Sequence, residues 1–105
     1  MAQLNESTTL GNKTLRDRNF NYGVDTGTAN TYVVALDPPI TTYTAGLMIY
    51  FMATNANTGA STLAIDGLTA TAMKKSVSSA LESGDILDNE MIFCVYDGTN
   101  FQLIR

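Results

Sequence analysis

The stretch EMIFCVYDGTNFQLI (90–104) decides the fold. An apolar run ending at Tyr96 meets Asp97-Gly98, turns, and returns as Phe101 to Ile104. β-branched and aromatic residues favour extended backbone, and Asp-Gly favours turns. The stretch therefore reads as two strands closed into a hairpin. Alternation places Phe93, Val95, Phe101 and Leu103 on one face, with Ile92, Cys94 and Tyr96 on the other. Both faces are apolar, as in a sheet covered on both sides.

The same grammar extends backwards along the chain. NTYVVAL (30–36) is a strand stopped by Asp37-Pro38-Pro39, since proline has no N–H to donate to a ladder. Thr44-Ala45-Gly46 is a turn before LMIYFMA (47–53), where Leu47, Ile49, Phe51 and Ala53 alternate with Met48, Tyr50 and Met52. TLAID (62–66) and LTATAM (68–73) form a tight hairpin, because Asp66-Gly67 accepts the positive φ of a primed turn. KSVSSALE (75–82) is the one helical candidate, and LESGDILDN (81–89) is a loop or edge segment. Short strands separated by turn signals predict an all-β domain, a small antiparallel β-sandwich or jelly-roll-like barrel. It occupies residues 29–105. Residues 1–28 are polar, with apolar side chains only at wide spacing, and read as an extended N-terminal arm for attachment.

Composition narrows the function. The chain has 105 residues, enough for one core; 45% are hydrophobic and only 15% charged, so Thr, Asn, Ser and Gly supply the polarity. Net charge is -4. Lys13, Arg16 and Arg18 offset Glu6, Asp17 and Asp25, and the remainder carries the excess of acids. There is no basic run to neutralise phosphates, so nucleic acid is not an expected partner. No apolar segment approaches the ~20 residues that span a bilayer. MAQLNESTT lacks the basic start and apolar stretch of a signal peptide.

Candidate chemistry is sparse. The sequence contains no His. Cys94, set in an apolar strand, reads as a small buried hydrophobe rather than a nucleophile. Asp85, Asp88 and Glu90 could offer oxygens to a cation, but their spacing departs from a calcium loop, and a solvated loop explains them. Asp85 with Glu90 could also make a glycosidase pair, though nothing places them together. No metal, cofactor or catalytic residue is expected. Tyr43, in the loop ITTYTAG (40–46), is the tyrosine best placed to stack on a sugar ring. The apolar second sheet side points to association with further copies of the chain.

From residue 28 onward the chain resembles a module of bacteriophage tail-fibre and related virion proteins. The resemblance rests on GTANTYVVAL (27–36), PPITTYTAGLMIYFMATNANTGASTLAIDGL (38–68), SGDIL (83–87) and above all VYDGTNFQLI (95–104). It implies a small β-domain in an elongated, usually trimeric appendage, a structural role in the virion and no catalysis. Fibre proteins generally hold this module between a long attachment region and a receptor-binding tip. A module with a short arm is instead expected in a head decoration or cement protein, a head fibre, or a collar or tail component. Leu4, Leu10, Leu15 and Phe20 would anchor the arm on neighbouring capsid or tail subunits, and Arg16 and Arg18 would pair with acidic surface. The alternative is a carbohydrate-binding, receptor-recognition module that meets host glycan at Tyr43.

Overall fold

The computed structural model describes residues 21–105. It contains eight strands and, among the described residues, no helix. They are β1 (Tyr22–Val24), β2 (Thr31–Val34), β3 (Met48–Met52), β4 (Ser61–Ile65), β5 (Thr71–Lys75), β6 (Ser79–Ala80), β7 (Met91–Tyr96) and β8 (Phe101–Leu103). They form one sheet in the order β1-β3-β7-β8-β5-β4-β2, with β6 pairing β5. The ladders β1/β3, β2/β4 and β5/β8 are parallel, so the sheet is mixed. The all-β expectation holds. The strand Tyr22–Val24, inside the 1–28 segment, is part of the sheet.

The sheet curls until its two ends nearly meet. Thr28 and Thr31 form an isolated antiparallel bridge, and Thr26 N donates to Val33 O at 2.8 Å. β1 can lie this close to the chain leaving β2 because residue 23 is glycine: a Cβ there would fall 2.6 Å from both Ala35 O and Val34 Cγ1. Asp25 completes the seam. Its carboxylate accepts from Gly27 N at 2.8 Å and Val33 N at 3.0 Å through Oδ1, and from Thr54 Oγ1 at 2.9 Å through Oδ2. A side-chain oxygen thus does for Val33 what a ladder carbonyl would do.

Inside the barrel sit alternate residues of the strands. Ile49 and Phe51 of β3, Leu63 and Ile65 of β4, and Tyr32 and Val34 of β2 are fully buried. Tyr32 packs against Phe51 with ring centroids 5.8 Å apart, and its hydroxyl donates to Asn55 O. The turn at Asp66-Gly67 is as expected, with φ of 52° and 78° and Leu68 N donating to Ile65 O. The Asp66 carboxylate does more than turn the chain: it accepts from Leu36 N and Ile40 N, both at 2.8 Å, and so ties down the Pro38-Pro39 loop.

Two expectations are corrected. In the closing hairpin Tyr96 pairs with Phe101 and Cys94 with Leu103. Phe101 and Leu103 therefore point inward with Ile92 and Cys94, not outward with Phe93 and Val95. An even number of residues between Tyr96 and Phe101 sets that parity. Asp97 fixes the loop by accepting from Thr99 N and Asn100 N, both at 2.8 Å. The candidate helix over 75–82 is instead the β5/β6 hairpin, with Lys75 paired to Ser79. Its serines compete for backbone hydrogen bonds, and eight residues cannot nucleate a helix unaided.

The tip of this hairpin is strained. Ser76 and Val77 have φ of 49° and 75°, and Ser78 N donates to Ser76 O at 3.0 Å across Val77. That is a γ-turn with a β-branched residue at positive φ, an arrangement few residues adopt. Val77 is 77% exposed, so packing does not compensate. Val77→Gly should therefore stabilise the fold by about 1 kcal/mol, the released strain exceeding the added unfolded-state entropy. A thermal midpoint equal to or below that of the parent would contradict this.

Candidate interaction surface

The outward side chains of β1, β3 and β7 form rows across the sheet. Parallel and antiparallel register place Tyr22 beside Tyr50, and Tyr50 beside Phe93. The next row runs Val24, Met52, Met91, and on the other side Met48 pairs with Val95. Ile104 follows Phe93 through its N–H to Phe93 O at 2.9 Å. None of these side chains is charged. Tyr50 and Phe93 stack face to face, centroids 4.6 Å apart and 17° from parallel. Met48 and Met91 are more than half exposed, at 56% and 55%.

The opposite half of the barrel differs. Outward positions on β2, β4 and β5 are Thr31 and Val33, Thr62 and Ala64, and Ala72 and Lys74. These are small or polar, as on a wetted sheet face. Sequence alternation showed both sides of β3 to be apolar without assigning either to the outside. The contribution of β1 was missed because three residues, one of them Gly23, show no period.

Tyr43 is half-buried rather than free at a loop tip. Its hydroxyl donates to Thr69 O at 2.9 Å and accepts from Ile65 N at 3.1 Å. Its ring meets Phe101 edge-on at 5.1 Å and Tyr96 at 5.3 Å. Burial raises its pKa above the usual phenol value. An open cleft of about 270 Å³ lies beside it, lined by Thr41, Thr42, Tyr43, Leu68, Thr69 and Tyr96. A sugar could meet ring surface and threonine hydroxyls there, but the Tyr43 hydroxyl is committed to the barrel.

Of the acidic residues of 82–90, Asp85 and Glu90 are likewise engaged. Asp85 accepts from Glu82 N at 2.7 Å and pairs with Lys75 at 2.8 Å; these bonds, the backbone one foremost, lower its pKa. Glu90 accepts from Leu87 N at 2.9 Å and pairs with Arg105 at 3.2 Å. Among the described residues no group of carboxylates, Cys or His is arranged to hold a metal ion. Asn57, only 2% exposed, anchors the loop: its amide donates to Gly59 O and Glu82 O, and its oxygen accepts from Ile86 N. Cys94 is buried and its thiol is pushed up to about 12, which suppresses thiolate chemistry. Leu4, Leu10, Leu15, Arg16, Arg18 and Phe20 lie outside the described residues.

No protein-family model matches the chain, and no curated protein matches its sequence. Its buried polar side chains hold turns and seams together, and its largest uncommitted feature is the uncharged outer face of β1, β3 and β7.

Proposed function

We propose that the chain is a structural protein of a bacteriophage virion. It is a homo-oligomeric, trimeric β-domain docked on the particle by its N-terminal segment, as a head decoration or cement protein, a head fibre, or a tail-fibre or collar component. It acts by binding rather than by catalysis. The carrying observation is the broad apolar face left outside a barrel whose buried polar side chains are already engaged within the fold. Such a surface is characteristic of a contact between proteins. The mechanism is mass action: contacts made only in the assembled state stabilise that state and do nothing for the free subunit.

Deleting residues 1–20 tests the docking role and keeps all eight described strands, the first of which begins at Tyr22. The truncated chain should keep its far-ultraviolet spectrum and cooperative melting yet lose sedimentation with particles. Retained particle binding would contradict attachment through this segment.

A further inference from the structure

We infer that the outer face of β1, β3 and β7 is the surface through which copies of this chain meet one another. This rests on the self-associating role proposed above, and it adds which surface performs it. Size is the first argument. Of the eight large hydrophobic side chains exposed among the described residues, six lie on this face: Tyr22, Val24, Met48, Tyr50, Met91 and Ile104, each 37–56% exposed. A monomer seldom leaves so many large apolar side chains side by side in water.

Charge is the second argument, and it selects a like copy as the occupant. The chain is acidic, at -4, so two copies repel wherever their carboxylates face each other. The face carries no carboxylate, and its nearest ion pair, Glu90 with Arg105, is neutral as a unit and lies at the rim. A basic partner would find nothing here to pair with. An uncharged face can meet another copy without any complementary sign.

The side chains suit a contact in their free state. Tyr50 and Phe93 already stack on one another, so little rotamer freedom remains to be lost on association. Met48, Met52 and Met91 flank them with flexible thioethers that fill irregular gaps. A rigid aromatic centre with an adaptable surround is the anatomy of an interface core.

The full chain is studied at micromolar concentration by sedimentation equilibrium, alongside Tyr50→Glu, Met91→Glu and, as a control on the other half, Thr31→Glu. The native chain and Thr31→Glu should sediment as the same multiple of the monomer. Tyr50→Glu and Met91→Glu should weaken association by roughly 100-fold or more, since each buries an unpaired charge. Peroxide footprinting of the native chain provides a readout that needs no variant. Met48 and Met91 should oxidise slowly at high concentration and rapidly on dilution to monomer, while Met73, 1% exposed, stays protected at both. If the native chain is multimeric but both face variants keep its mass and its Met48 and Met91 oxidise freely, this face is not the contact, although self-association stands. If the native chain is monomeric throughout, self-association itself falls. Protection of Met48 and Met91 only on particles would assign the face to a different virion protein and overturn the inference.

Discussion

Asp25→Ala should cost about 3–5 kcal/mol, because it leaves three hydrogen-bond donors without their acceptor at about 1–3 kcal/mol each. That is a large part of the ~5–15 kcal/mol that holds a typical domain together. Asp25 is 2% exposed. Its removal strips acceptors from Gly27 N, Val33 N and the Thr54 hydroxyl together, at the one place where the two ends of the sheet are joined. Asp25→Asn keeps one acceptor oxygen and should fall between the two. Urea titration reads this directly. A midpoint for Asp25→Ala corresponding to a loss of under ~1 kcal/mol would mean that the seam closes without the carboxylate.

Alkaline pH should weaken the fold strongly. Burial pushes the Cys94 thiol from its ordinary 9.0 up to about 12, so the folded state keeps a proton that the unfolded state releases. The resulting stabilisation is complete below pH 9 and is lost as pH climbs from 9 towards 12, at up to about 1.4 kcal/mol per pH unit. By pH 11 the loss from this group reaches roughly 3 kcal/mol. Tyr32 and Tyr43, whose pKa values burial also raises, act in the same direction above pH 10. Urea midpoints from pH 8 to 11 should therefore fall more steeply for the native chain than for Cys94→Ala, which retains the contributions of the tyrosines and of Lys75, whose pKa hydrogen bonds to Asp85 and Glu82 raise. Equal slopes in the two proteins would refute the assignment to Cys94.

Much of this barrel can be read from local chemistry. β3 was visible through alternation, and one of the two alternating series, with Ile49 and Phe51 of the strand and Ala53 just beyond it, is the buried one. The Asp66-Gly67 turn was visible because primed turns require those residue types. What escaped depends on partners distant in sequence. The facing of β8 turns on the number of loop residues between Tyr96 and Phe101, and the Asp97-Gly98 signal alone leaves that number open. Asp25 looked like one more loop acid; its role comes from Val33 and Thr54, which only the closed sheet brings to it. Lys75 to Glu82 misled because serines at helical spacing look the same as serines at a hairpin tip. The surface was half legible: alternation showed that both sides of β3 are apolar but not which one faces out, and the row that β1 extends does not exist until β1 lies parallel to β3.

The position of β8 governs how such a molecule can reach its native state. Phe101–Leu103 lies between β7 and β5, antiparallel to the first and parallel to the second. It thereby joins β1, β3 and β7 to β5, β4 and β2. Until that strand arrives, the two groups have no ladder between them and each presents an unpaired edge, the kind of template on which nascent chains misassociate. Productive folding must then wait for the segment nearest Arg105, and the nucleus must gather contacts of long sequence separation. Refolding on the millisecond-to-second scale of non-local β topologies follows from that arrangement.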